Sequence, residues 1–147
     1  METNNVDVAL RYFAAETGLA ARKDDTELET LVADMTATLQ PDVVMDLGPL
    51  SLSRRGVYHG PEQVVEFARD EMNEAWSGYE IEVETAVTNG PFVALVYSET
   101  LVARRSGIPA RRRAADVYEI RRGKIAAIRY FREPEDALRA LWLPYES

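Results

Sequence analysis

The sequence predicts an α+β fold, and three observations carry that prediction. Helix signals crowd the first half, where a Thr26-Glu27-Leu28-Glu29 capping box and a Gly60-Pro61 start each precede an apolar stripe at helical spacing. In the second half apolar and charged residues alternate instead, as where Tyr79, Ile81, Val83, Thr85 and Val87 interleave with Glu80, Glu82 and Glu84. Turn chemistry at Asn89-Gly90, Ser106-Gly107-Ile108-Pro109 and Arg122-Gly123 then separates successive strands. The order is three helices with two short strands among them, a four-strand meander and a short last helix.

Taken in turn, Val6, Leu10 and Phe13 after Asn4-Asn5 begin the first helix, which runs on through Ala20-Ala21 with Gly18 as its weak point. In the second, the Thr26 hydroxyl and Glu29 carboxylate can each satisfy a free backbone amide. Leu28, Leu31, Val32, Met35 and Leu39 trace its apolar stripe, and Pro41 ends it. Val43-Val44-Met45 is a short strand, followed by a Gly48-Pro49 break, a polar loop through Arg55 and a second short strand at Gly56-Val57-Tyr58. The third helix places Val65, Ala68, Met72 and Ala75 inward and closes at Ser77-Gly78. After the meander, Pro134 opens a helix carrying Ala137, Leu138 and Leu141. With no internal repeat, low-complexity tract or linker, residues 1–147 read as one domain.

Composition bounds the function. A net charge of -8 argues against broad nucleic-acid binding, which needs basic surface. The one basic run, Arg111-Arg112-Arg113, reads as a solvated strand edge that discourages sheet pairing. No apolar run approaches bilayer length and no secretory-type start is present, so a cytoplasmic protein without membrane partners is expected. The absence of cysteine removes thiolate chemistry and Cys-based metal sites. With a single histidine, His59, no metal site and no cofactor are expected.

Asp116 is the residue that asks for an explanation. Strand alternation puts Arg112, Ala114, Asp116, Tyr118 and Ile120 on one face, where a carboxylate is costly unless paired, protonated or used. Its bland reading is a structural acceptor of hydrogen bonds from Tyr12, Tyr130 or His59. Its functional reading is a pocket acid or base with a pKa raised by desolvation. Tyr118 and Tyr130 are more often core aromatics than catalytic donors, Trp76 is packing or pocket wall, and His59 sits before a helix where a capping or exposed role is the default.

The pattern Gly56-Val57-Tyr58-His59-Gly60-Pro61-Glu62 before a helix ending Glu74-Ala75-Trp76 resembles the SnoaL-like branch of the nuclear transport factor 2-like superfamily. So does Asp116-Val117-Tyr118-Glu119-Ile120 leading to Gly123-Lys124-Ile125, Arg129-Tyr130-Phe131 and Glu135-Asp136-Ala137-Leu138. The resemblance implies a cone-shaped α+β barrel, with three N-terminal helices packed in a strongly curved, mostly antiparallel sheet around an apolar pocket. It also implies a homodimer paired through the outer sheet face, where Ala115 and Val117 would lie. The superfamily holds ketosteroid isomerase, polyketide cyclases, an epoxide hydrolase and non-catalytic binding domains, so fold alone does not select a reaction.

The same resemblance aligns Asp116 with the isomerase's neutral, hydrogen-bond-donating aspartate, the case that is itself the standard example of a carboxylic acid kept protonated by an apolar site. Ile128 and Tyr130 turn inward beside it, and Tyr130 stands where cyclases and the hydrolase carry an acid. Leu47 replaces the isomerase's base. Asp46 next to it is out of phase unless a bulge at Gly48-Pro49 rotates it back. Thr100 and Val102 fall on the hydrolase's arginine and first aspartate, and Tyr12 falls near the oxyanion-hole tyrosine. Met45, Leu47, His59, Trp76, Thr100, Arg112, Ala114, Tyr118 and Ile128 are the ligand-contact candidates, with Asp116, Tyr130 and Tyr12 as the catalytic ones. Two functions follow from different classes. One is a cofactor-free isomerase, cyclase or dehydratase acting on a small apolar molecule; the other is a non-catalytic small-molecule binding or scaffold domain. Epoxide hydrolysis is weakened by the missing triad partners.

Overall fold

A computed structural model describes residues 4–48 and 56–142. From Pro49 on, the expected polar loop through Arg55 lies outside the described residues. Helix α1 spans Asn5–Ala21 and is capped by Asn4, whose side chain accepts the Val6 amide at 2.8 Å. Val8, Tyr12, Ala15, Glu16 and Leu19 form its buried stripe. Gly18 does not break the helix. A Cβ there would meet Leu31 Cδ2 at 3.0 Å, so the glycine lets α2 (Leu28–Ala37) approach closely.

The capping box does not form. Asp24 Oδ1 takes the Thr26 amide at 2.9 Å, and the helix begins at Leu28 with Glu27 as an N-cap without a side-chain bond. Leu39 and Pro41 also belong elsewhere than expected: β1 runs Leu39–Asp46, longer than Val43-Val44-Met45, with Pro41 inside it. The proline lacks an amide for the ladder, and the register with β6 slips between Leu39 and Val44. β2 is Val57–His59.

Helix α3 covers 60–75 and is wound in three pieces: α-helical Gly60–Glu66, π-helical Phe67–Met72 and a last turn Asn73–Ala75. It ends before Ser77-Gly78, which lie in β3 (Trp76–Asn89). The stop comes from across the sheet, where Arg104 donates to the carbonyls of Asn73, Glu74 and Trp76. Asn73 in turn donates its amide to the Ala20 and Arg22 carbonyls at 3.1 and 3.0 Å, satisfying the exposed C-terminal acceptors of α1.

Strands β3, β4 (Phe92–Ala103), β5 (Pro109–Arg121) and β6 (Lys124–Phe131) form the meander, and α4 (Pro134–Trp142) follows. The six-stranded order is β2-β1-β6-β5-β4-β3, antiparallel except for β1 with β6. The β5–β6 turn uses two left-handed residues, Arg122 (φ 54°) and Gly123 (φ 77°), as a tight two-residue hairpin requires. The alternation in β3 changes phase once. A register shift between Val83 and Thr85 turns Ala86 inward, while Thr85 is exposed and Val87 packs on the outer side.

Two apolar layers result. The larger lies inside the curve, where α1 and α3 meet the concave face. The smaller lies outside, where Ala137 and Leu141 of α4 cover Ala94, Val96, Ala115 and Val117. The outward face at Ala115 and Val117 is therefore covered by the chain's own helix. The arginine run sits on β5, an interior strand, but beyond Ala115 that strand has outrun β6. Arg113 pairs with Glu84 on the outside at 2.9 Å, and Arg112 turns inward. Among the described residues no helix is long and apolar enough to cross a membrane.

Candidate functional site

The concave layer leaves a cavity of about 110 Å³ that opens to the surface, with Glu16, Met45, Leu47, Trp76, Glu99 and Asp116 in its wall. Arg112, Ile128 and Tyr130 complete the sheet side, and the π-helical stretch supplies Phe67, Glu71 and Met72 on the helix side. π-Helical windings recur at functional sites because they displace side chains from the regular helical pattern.

Asp116 is 6% exposed and accepts one hydrogen bond on each oxygen. Tyr97 donates to Oδ1 and Tyr118 to Oδ2, both at 3.0 Å. These donors differ from Tyr12, Tyr130 and His59. Tyr97 reaches Asp116 because it pairs with Ala114 on the neighbouring strand and shares the inward face. Burial raises the Asp116 pKa well above the ordinary aspartate value, and the Glu16 carboxyl raises it further; the two tyrosine bonds oppose this.

Glu16 is the second buried carboxyl of the wall. It lies one helical turn after Tyr12, whose hydroxyl donates to Oε2 at 2.6 Å and lies 3.9 Å from Met45 Sδ. Burial lifts its pKa from 4.5 to about 7, against the Tyr12 bond that lowers it. A third buried carboxyl, Glu99, is compensated differently. Arg112 Nε binds its Oε2 at 2.5 Å and the Tyr79 hydroxyl its Oε1 at 3.3 Å. Burial also holds Tyr12, Tyr79, Tyr97 and Tyr118 well above the ordinary tyrosine pKa, so each stays a neutral donor. The Tyr130 hydroxyl is, among the described residues, the one buried side-chain polar atom without a hydrogen-bond partner.

Of the residues singled out from the sequence, Asp116, Tyr130, Met45, Leu47, Trp76, Arg112 and Ile128 meet around this cavity. Tyr12, Ala114 and Tyr118 are buried in the layer behind it. Tyr12 reaches the site through Glu16, and its ring stands edge-on to Tyr118 at 5.7 Å. Two candidates lie elsewhere. His59 is exposed ahead of α3, and Thr100 pairs with Glu80 and Arg111 on the outward face. Asp46 is exposed too and accepts the Gly48 amide at 2.9 Å, so it stays turned away from the cavity. Glu16, Glu71, Tyr79, Tyr97 and Glu99 were missed. The inward phase of Val93-Leu95-Tyr97-Glu99-Leu101 and the Tyr12-to-Glu16 spacing carried a signal for three of them.

Among the described residues no three His, Asp or Glu side chains are grouped to hold a metal ion. A curved sheet wrapped around helices, with a polar-bottomed cavity in the concave face, defines the nuclear transport factor 2-like class of α+β proteins. The sequence matches the SnoaL-like domain over residues 11–128, and the chain belongs to that family. No curated protein matches it.

Solved structures share the fold at low identity. A SnoaL-like polyketide cyclase, so described provisionally, from Jannaschia sp. CCS1 has TM-score 0.70 and 18% identity, covering 98% of this chain and 99% of that one. A nuclear transport factor 2-like protein from Burkholderia pseudomallei K96243 has TM-score 0.69 and 16% identity, covering 97% and 100%. TerC, co-crystallised with polyporic acid, has TM-score 0.65 and 16% identity, covering 93% and 96%.

Proposed function

We propose that the protein binds a small apolar molecule bearing one polar group in the internal cavity and catalyses cofactor-independent proton transfer on it, of isomerase, cyclase or dehydratase type. The observation that carries this reading is Asp116, a carboxyl buried at the cavity wall with a pKa raised by burial and by Glu16. In its neutral form it is the acid of the site. Rotation of the Tyr97 or Tyr118 hydroxyl frees one oxygen to donate to a ligand carbonyl. Polyketide cyclase and polyporic acid in the descriptions of two fold relatives agree with an oxygenated, ring-bearing ligand. At about 110 Å³ the cavity is smaller than the apolar cavity of about 150 Å³ that admits benzene, which limits the enclosed part of a ligand to about one ring.

The test compares the parent chain with Asp116→Asn, using cyclohexanone and 2-cyclohexenone as probes. Binding is read by thermal shift, and deuterium uptake beside the carbonyl by NMR. The reading expects the variant to bind within about threefold and to exchange about 100-fold or more slowly. Equal exchange in both would overturn it. One observation favours a second reading, a non-catalytic binding domain: both Asp116 oxygens are already engaged by tyrosines. That reading expects binding without exchange. The reading includes a homodimer paired through sheet surface that α4 leaves open, and sedimentation at the monomer mass in analytical ultracentrifugation would overturn that part of it.

A further inference from the structure

Proton transfer at carbon needs a base as well as an acid, and Leu47 in the cavity wall is apolar. We infer that Glu16, carried into the cavity wall by α1, is the base that removes a proton from the bound ligand, with Asp116 as the facing acid. The inference rests on the proton-transfer reading above and assigns the role that reading leaves empty.

Three features of Glu16 carry it. The side chain is 7% exposed yet lines the cavity. Its two oxygens are unequal: Oε2 takes the Tyr12 hydroxyl at 2.6 Å, and Oε1 has no hydrogen-bond partner among the described residues. Oε1 is nonetheless absent from the buried, partnerless atoms, of which the Tyr130 hydroxyl is the single case among those residues, so it opens onto the cavity. One oxygen is therefore anchored and the other is aimed at the ligand, as a base requires.

The other wall carboxyls are less suited. Glu99 is held by Arg112 and Tyr79, and Asp116 has a donor on each oxygen. Glu71 accepts from Tyr58 at 2.7 Å. Burial lifts the Glu16 carboxyl to about 7, poised to exchange a proton at neutral pH, and burial together with the Glu16 carboxyl raises Asp116 as well. Glu16 and Asp116 line the same cavity.

The step balances within the site. The C–H bond next to the ligand carbonyl breaks, its proton forms an O–H bond on Glu16 Oε1, and the electron pair moves through carbon onto the carbonyl oxygen. Asp116 stabilises that oxygen by hydrogen bonding. Return of the proton to the same carbon regenerates the ligand, and return to a conjugated carbon isomerises it. The class of ligand this selects is a neutral, one-ring ketone or enone with an acidic neighbouring C–H. An anionic ligand would meet three buried carboxyls and a single, already paired arginine.

The experiment measures deuterium incorporation into cyclohexanone and allylic exchange in 2-cyclohexenone by NMR at pH 7, with ligand binding followed separately by saturation-transfer NMR. The parent chain and Glu16→Gln are compared. Glutamine keeps the acceptor for Tyr12 and cannot take the proton, so binding is expected to stay within about threefold while exchange falls about 100-fold or more. Exchange within threefold of the parent overturns the assignment to Glu16 and leaves the proton-transfer reading standing. Binding and exchange both absent in the parent chain sink that reading and this inference with it. Should Glu16→Gln not fold, Tyr12→Phe gives the answer. Loss of the bond that favours the Glu16 carboxylate is expected to slow exchange several-fold at pH 7 with binding retained. Unchanged exchange in that variant overturns the assignment.

Discussion

Replacing Glu16 with glutamine is expected to leave stability nearly unchanged at pH 4.5 and to raise it markedly at pH 8. In the folded protein burial holds the Glu16 carboxyl at about 7, above the 4.5 it has when solvated. A folded pKa above the unfolded one means that the native state binds the proton more tightly. The associated stability is complete below about 4.5 and is lost as pH rises through about 7. Each tenfold change in proton affinity is worth about 1.4 kcal/mol, so the interval bounds the loss at about 3 kcal/mol. Glutamine has the same shape, keeps the acceptor for Tyr12 and never ionises, so it escapes that loss. In the variant Asp116 is also freed of the Glu16 charge that helps raise its pKa, so its own loss of stability with rising pH shrinks and adds to the difference in the same direction. Urea denaturation at pH 4.5, 6, 7 and 8 reads the effect directly. At a slope of about 2 kcal/mol/M the midpoint of the variant should exceed that of the parent by roughly 1–2 M at pH 8. A gap that is equal at pH 4.5 and pH 8 would refute the reasoning, as would a parent chain that gains stability over that range.

Three further perturbations test other parts of the site. Arg112→Met strands the buried Glu99 with only Tyr79 and should cost about 3 kcal/mol, most of it recovered by adding Glu99→Leu; additive losses in that double-mutant cycle count against the pairing. Tyr97→Phe and Tyr118→Phe each remove a donor to Asp116 and should cost about 1 kcal/mol. Together they should also move the Asp116 carboxyl titration to higher pH in carbon-detected NMR, and a shift to lower pH contradicts the geometry. Leu141→Ala empties part of the outer layer and should destabilise by about 2–4 kcal/mol, with faster amide exchange across α4; protection equal to the parent would show that the helix is held by something else.

The fold was readable because its signals are local. The Asn89-Gly90 and Arg122-Gly123 turns fix two hairpins, and the Pro61 start fixes α3 whatever the tertiary context. The misreadings arose where partners distant in sequence decide. Asp24 captures the Thr26 amide and removes the capping box. Arg104, about thirty residues away, ends α3 before the glycine that looked like its stop. The change of phase in β3 follows from a register shift against β4 that no two-residue pattern records. For the site, the alternation on β5 was enough to put Asp116 and Arg112 inward. It could not show that Tyr97 lies across from Ala114, because that depends on strand register. Glu16 was overlooked for a different reason: a charged residue on an apolar helical stripe is usually taken to mark the stripe's edge, and here it marks the centre.

The winding of α3 has a consequence for how this cavity can change. Over Phe67–Met72 the backbone bonds five residues apart, so Phe67 and Met72 return to the same side of the helix and both reach the cavity. Ordinary α-winding, at about 100° per residue, would set two residues five apart about 140° from each other and carry one of them off that wall. The shape of the binding space is thus recorded in the number of residues in this stretch as well as in their identities. Removing a single residue there would re-sort the whole wall without altering one side chain of the sheet. Length variation within six residues of α3, rather than substitution on the strands, is a direct route by which this scaffold can reshape its cavity.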